Sequence, residues 1–390
     1  MTYTNAEKMI KNAPQASTAG GLERVLRALG NPEKKMGVIK VFGESGKSSV
    51  CALISTVLSA AGYKVGRLVT PVIHSVTTSV SVCERPISIT DFTNAADEVR
   101  KTIAEERKIQ EDGIFELSSD DLFFATAFTA FYKSECNLAV IEIPTSNTTH
   151  TAIDKSLLSV IATIHSAAAA HSICSKIDRN CGEVVTATQA REIHDVIFNR
   201  CVQINTRLTF PLKSSFHLMS SSPKRSEFTY KGQVYSIACG ALYQIDNFIT
   251  VLEASDALRR CGLKIHSDAI CASVFAEGLS LRFEMISIMP TVIIDRADSK
   301  DKLEALSRSL IALNNDEKKP LRLLSEGGEE TVEFLRSRGI NATTVALPEK
   351  GERRAIREIL KELSTEDVLT VTGSSAYCER ISEIIKQSLL

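Results

Sequence analysis

The chain has 390 residues, long for one domain and comfortable for two. Its 44% hydrophobic and 24% charged residues are those of a globular protein, and a formal net charge of −1 excludes a general attraction for nucleic acid or anionic membrane. No stretch approaches about 18 uninterrupted apolar residues and the N-terminus, MTYTNAEKMIKNAP, lacks an apolar signal core, so a cytoplasmic protein without a membrane span is expected.

Leu22–Leu29 reads as a short amphipathic helix stopped at Gly30-Asn31-Pro32. An apolar run through Val38, Ile39, Val41 and Phe42 then meets the turn Gly43-Glu44-Ser45-Gly46, which delivers Lys47, Ser48 and Ser49 to a helical segment, Val50–Ala61. A strand, a glycine turn and a Lys-Ser helix start form a phosphate cradle. Glycines let backbone amides crowd an anion, the helix N-terminus adds favourable dipole, lysine adds charge, and a hydroxyl can reach magnesium. Only two residues separate Gly43 from Gly46, so the usual GxxxxGK[ST] spacing is incomplete; the ordinary alternative is a β–α turn whose Lys47 faces water.

Lys64–Val69 reads as a second strand, followed by Ser79–Val82 and by helices over Asp91–Glu106 and Ser118–Phe131. Asp121 is read as a solvated acid at a helix start, with a further carboxylate for the magnesium site as its alternative. Leu138–Ile143 and Ser159–Ile164 are apolar runs of the length of buried parallel strands. Glu142, leaving such a strand, is the best single candidate for a metal ligand, with a salt bridge to a neighbouring helix as its alternative. Phe216–Met219 and Thr229–Ile237 look antiparallel, the cluster from Ser220 to Arg225 reads as a loop, and helix Ile245–Cys261 ends at Gly262.

Near residue 285 a second α/β unit begins. Its strands are Thr291–Ile294, Arg322–Leu324, Thr343–Ala346 and Asp367–Val371; its helices are Ser299–Leu313, Glu329–Arg338, Arg353–Leu363 and Ala376–Gln387. Alternation of this kind predicts an α/β fold with a doubly wound, mostly parallel sheet, and a tail of about a hundred residues suffices for a small domain of its own. The ten cysteines stand singly without a CxxC pair and are read as reduced, buried small hydrophobes. The seven histidines form no HxxxH or HExxH pair, and His165 and His171 are read as structural or exposed.

Several motifs, in order, resemble the folylpolyglutamate synthase/dihydrofolate synthase family, a branch of the Mur-type ATP-dependent amide ligases. GESGKSS sits where that family carries GTNGKGS, and AAGYKVGRLVTP resembles AGYRVGLYTSP, which places Thr70 at a magnesium-binding serine position. Val140-Ile141-Glu142-Ile143 resembles VLEVG, whose glutamate is a magnesium ligand. Tyr243-Gln244-Ile245-Asp246-Asn247 resembles HQxxN, Arg282-Phe283-Glu284 resembles GRFE, Val292-Ile293-Ile294-Asp295 resembles VILDGAHN, and Thr372-Gly373-Ser374 matches a terminal TGS. The resemblance implies a P-loop-containing ATP-binding domain of the Mur ligase central type over residues 1–284 and a Rossmann-like ligase domain over 285–390. It implies ATP and Mg2+ as cofactors, with Gly43, Gly46, Lys47, Ser48, Ser49, Asn247, Arg282 and Asp295 on the nucleotide. Thr70 and Glu142 fall on the metal, Lys47 is a catalytic candidate, and Lys176 is the nearest candidate for the family's carbamylated lysine.

The chain also departs from that pattern. TSPHL reads Val69-Thr70-Pro71-Val72-Ile73, ERI reads Thr78-Ser79-Val80, and the glycine-rich stretch after the glutamate is replaced by Pro144 to His150. LDH becomes Ser166-Ala167-Ala168, and GAHN becomes Arg296-Ala297-Asp298-Ser299, in which Arg296 and Asp298 are expected to pair. Two functions follow as expectations. One is an amide ligase joining a small-molecule acid, through an acyl phosphate, to glutamate or a similar amine. The other is a catalytically degenerate nucleotide-binding relative acting through a partner protein, for which a second, intact ligase is the natural candidate.

Overall fold

The structure is a computed structural model and describes residues 1–390 apart from 15, 19, 71–75, 110–115, 145–152, 273–279, 314–320, 349–350, 366 and 390. The altered loop at 71–73 and most of the stretch after Pro144 therefore lie outside the described residues. The chain parts into two compact units: Met1–Pro211 with Asn247–Ala276, and Leu212–Asp246 with Glu277–Leu390.

The first unit is built on eight strands: β1 (Gly37–Phe42), β2 (Val65–Leu68), β3 (Val80–Val82), β4 (Arg85–Pro86), β5 (Leu138–Glu142), β6 (Leu158–Ile161), β7 (Glu183–Thr186) and β8 (Leu208–Thr209). They lie in the order β4-β3-β2-β5-β1-β6-β7-β8. Pairing is parallel from β2 to β8, and only the β2–β3 and β3–β4 pairings at one edge are antiparallel. Central parallel strands are covered on both faces, which is why β5 and β6 read as continuous apolar runs. All five residues of β5 and all four of β6 are buried.

Helix Ser119–Lys133 closes the core on one side. Its Phe124, Phe128 and Phe131 rings pack in sequence with centroids 4.5 and 5.8 Å apart, and Phe128 and Phe131 are fully buried. Gly66 on β2 leaves room for this cluster, since a Cβ there would lie 2.4 Å from the Phe131 ring.

β1 carries one charged side chain into this interior. Lys40 is fully buried; its Nζ donates to Asp178 Oδ1 at 2.7 Å and to the Ile153 carbonyl at 2.8 Å. Ser156 Oγ donates to the other Asp178 oxygen at 2.9 Å. Burial lowers the Lys40 pKa, against the opposing pull of Asp178.

The second unit holds two sheets. β9 (Phe216–Ser221), β10 (Ser226–Tyr230) and β11 (Gln233–Ile237) form an antiparallel sheet. The single strand expected over Thr229–Ile237 is thus a hairpin, turned by Lys231 and Gly232 at φ 49° and 77°. The other sheet has the order β12-β13-β16-β14-β15, formed by β12 (Arg282–Ile288), β13 (Thr291–Asp295), β14 (Leu321–Ser325), β15 (Ala342–Thr344) and β16 (Val368–Thr372). β12 is its antiparallel edge and the rest are parallel. Both α/β sheets expected from the sequence are present, with β4, β7, β8 and β12 added to the strands read there.

All ten cysteines are free thiols: seven are buried as expected, Cys83 and Cys261 are half-buried, and Cys271 is exposed. Asp121 departs from expectation as well. It is buried, its amide is capped by Ser118, and its carboxylate accepts from Ser17, so it is no solvated acid.

Candidate functional site

The strand order of the first unit reverses around β1: the chain leaves β1 towards β2 on one side, and leaves β5 towards β6 on the other. Ligands of open α/β sheets bind outside the carboxyl ends of strands at such a switch point. The site candidates of the first unit gather there. Gly43 to Gly46 follow β1, Thr70 follows β2, Glu142 ends β5, and Thr163 to His165 follow β6.

Register fixes their relative heights. Val41 on β1 is level with Glu142 on one side and Val160 on the other. Thr70 Oγ1 reaches the Glu142 carbonyl at 3.5 Å, so the hydroxyl after β2 stands beside the last residue of β5.

The glycine turn has the shape its sequence implies. Gly43 and Gly46 both take positive φ, 134° and 83°. A Cβ on Gly43 would press on Ala162 at 3.1 Å, and one on Gly46 would lie 2.4 Å from Asn247 Oδ1. Both positions therefore need glycine for conformation and for space. Helix Lys47–Ala60 begins directly at Gly46, and the amides of its first turn have no acceptor within the helix.

Lys47 folds back over the turn. Its Nζ donates to the Gly43 carbonyl at 2.8 Å and stands 3.7 Å from Glu142 Oε1. The salt bridge considered as the alternative for Glu142 is thus present, and its partner is the lysine of the turn itself. Ser48, Ser49, Glu142 and Asn247 are all buried. Among the described residues no group of three or more His, Cys, Asp or Glu side chains is arranged to hold a metal ion.

Lys176 lies apart from the turn, at the end of helix Ala167–Ser175. Its Nζ donates to the Pro144 carbonyl at 3.2 Å, two residues past Glu142, and desolvation lowers its pKa.

Arg282 and Asp295 belong to the second unit, where they are register partners on β12 and β13. Asp295 is buried and accepts a hydrogen bond from the Tyr243 hydroxyl; burial pushes its carboxyl up to about 6. The same burial, reinforced by the Asp295 charge, drives the Tyr243 phenol well above its ordinary value. The expected Arg296–Asp298 pair does not form: Arg296 reaches Ser375 Oγ at 3.1 Å, and Asp298 pairs with Lys302 one helical turn on.

The sequence reading passed over one neighbour of the turn. His165 Nε2 stands 2.8 Å from Ser45 Oγ, and the His165 amide donates to Glu44 Oε2 at 2.7 Å. No spacing rule links residues 120 apart, so only the pairing of β1 with β6 reveals the contact.

No family model matches the chain. A folylpolyglutamate synthase of Lacticaseibacillus casei is 23% identical over 410 residues, covering 100% of this chain and 95% of that protein. The chain is thus similar, from end to end, to a folylpolyglutamate synthase. A dihydrofolate synthetase of Saccharomyces cerevisiae is 30% identical over 126 residues, 32% of this chain and 28% of the yeast protein. Among solved structures, the folylpolyglutamate synthetase from Lactobacillus casei superposes with a TM-score of 0.84 at 21% identity, covering 100% of both chains. A folylpolyglutamate synthase complex with AMPPCP and folate gives 0.81 at 20% identity, again over 100% of both chains. The fold is therefore that of the family from end to end, in keeping with the motif order read from the sequence.

Proposed function

We propose that this protein is an ATP-dependent acid–amino acid ligase, which phosphorylates a carboxylate and joins the acyl group to glutamate or a similar amine. The observation that carries this reading is the convergence, at one set of strand ends, of a Gly43–Gly46 turn, Lys47 and buried Glu142. Full-length similarity to folylpolyglutamate synthases, one of them solved with AMPPCP and folate, supports it.

Each residue then has a chemical task. The backbone of Gly43 to Gly46 and the first amides of helix Lys47–Ala60 cradle phosphate oxygens, and Lys47 neutralises charge that spreads over them during transfer. Ser48 and Ser49 add hydroxyls at the helix start. Thr70 and Glu142 fit a magnesium ion: both are hard oxygen donors at adjacent strand ends, and magnesium takes only one or two protein oxygens beside waters and phosphates. The ion would supply further positive charge to the phosphates. Asn247, Arg282 and Asp295 are proposed as further nucleotide contacts, and Lys176 as the counterpart of the family's carbamylated lysine, on the strength of the family pattern.

The acid substrate is left open by the chain itself, because the family's charged substrate-side residues are replaced, as at Thr78-Ser79-Val80. A second reading, a nucleotide-binding relative that acts through an intact ligase, is favoured by Ala168 in place of the family's histidine and by the Arg296–Ser375 contact where GAHN would stand. Titration with Mg-ATP separates both from a scaffold without nucleotide: a thermal shift at millimolar nucleotide is expected, and its absence removes both. Phosphate release on adding glutamate and an acid then distinguishes the enzyme from the degenerate relative.

A further inference from the structure

The segment after β6 is fastened from two directions. From behind, Gln189 Nε2 donates to the Ala162 carbonyl at 2.9 Å and to Thr186 Oγ1 at 3.1 Å, while its Oε1 accepts from the Ile164 amide at 3.1 Å. The Ala162 amide donates to Phe42 at 2.8 Å, continuing the ladder to β1. Ala162 to Ile164 are thereby a fixed backstop, and Ala162 fills the space that a Gly43 Cβ would take.

From that backstop four contacts reach the glycine turn. The Thr163 carbonyl accepts from the amides of Glu44 at 2.9 Å and Ser45 at 3.1 Å. The His165 amide donates to Glu44 Oε2, and the His165 ring meets Ser45 Oγ. Three of these contacts use backbone atoms on the backstop side, so any residue at 165 except proline keeps them. Of the four, the ring–hydroxyl contact is the one that depends on histidine.

We infer that His165 is a positioning residue for the Gly43–Gly46 turn: through Ser45 it holds the turn in the shape that cradles phosphate, and so sets nucleotide affinity. The inference rests on the nucleotide-binding reading above for its consequence, though not for its geometry. It also bears on the missing histidine at 168. This chain carries an alanine there and, three residues earlier, an imidazole that touches the turn instead.

The test uses the full chain with Mg-ATP as probe. Because His165 is exposed, its replacement should leave folding intact. His165→Ala and Ser45→Ala are each expected to weaken Mg-ATP binding about tenfold, the loss appropriate to one hydrogen bond to a polar partner at a shared site. The double variant should lose no more than either single change, because both remove one bond. His165→Gln, which presents an amide at a similar reach, should recover most of the affinity. If turnover is measurable, KM for ATP should rise while kcat stays near wild type. Hydrogen exchange of the free protein should show faster exchange at the Glu44 and Ser45 amides in His165→Ala. Wild-type affinity with unchanged exchange in His165→Ala would overturn the inference, as would multiplicative losses in the double variant. If the wild type binds no Mg-ATP, the proposed function fails, and exchange at the two amides alone decides whether His165 holds the turn.

Discussion

A Cβ placed on Gly46 would lie 2.4 Å from Asn247 Oδ1, so the buried asparagine of helix Leu242–Arg260 leaves the turn no room for a methyl group. With φ at 83° as well, Gly46→Ala is strained twice over. The variant should lose about 1–3 kcal/mol of stability and bind Mg-ATP at least about tenfold more weakly. Calorimetric titration and denaturant unfolding check this, and Gly46→Ala combined with Asn247→Gly should recover part of the stability.

Lys47 touches both the turn backbone and Glu142. Lys47→Ala should remove nucleotide-dependent phosphate release by about a hundredfold or more, the scale of a lost transition-state contact in a preorganised site. Its thermal unfolding temperature in the absence of nucleotide should fall as well, because losing the mostly buried side chain leaves Glu142 without this ion pair.

Lys40 and Asp178 make a different prediction, of stability without chemistry. Lys40→Met alone strands the Asp178 carboxylate and should destabilise the first unit by about 3–5 kcal/mol, as broken buried pairs do. Lys40→Met with Asp178→Leu should recover at least half of that loss. Urea unfolding of the three proteins measures the coupling directly.

The buried Asp295 carboxyl sets a pH dependence. Its pKa is raised from 3.8 to about 6 by burial, so the folded state holds the proton more tightly than the unfolded chain. That contribution is complete below the unfolded value and is lost as pH rises through about 6. Asp295→Asn, which keeps an acceptor for the Tyr243 hydroxyl, should therefore gain stability relative to wild type between pH 4 and 7, by no more than about 3 kcal/mol. Thermal melts across that range test it; a constant difference would contradict it. Asp246, in the same unit, is raised to about 6 by burial too and titrates in the same window, so Asp246→Asn serves as the matched comparison.

Much of the fold was legible because buried parallel strands such as β5 and β6 must be apolar on both faces, and because glycines mark the turn after β1. β7 escaped the reading because it is short and opens on Glu183, a buried charge that Arg260 holds at 2.5 Å and Thr209 at 2.6 Å. Helix Arg191–Gln203 escaped because Ile193, Ile197 and Cys201 are its buried residues, a stripe too thin to stand out. The β10–β11 hairpin was merged although Gly232 signalled its turn. At the site, Lys47, Glu142 and Thr70 were visible as strand-end residues in a familiar order. His165, the Lys40–Asp178 pair and the burial of Asp121 are tertiary facts: each depends on a contact between residues more than a hundred positions apart.

The central claim is tested most directly by phosphate release from Mg-ATP with glutamate and a panel of carboxylic acids, pteroates and folates included, comparing wild type with Lys47→Ala. Release that needs both the amine and one acid, and that vanishes in the variant, is the expected result. Background release with every acid, from protein that nonetheless binds Mg-ATP, would contradict the ligase account and leave the degenerate relative in its place.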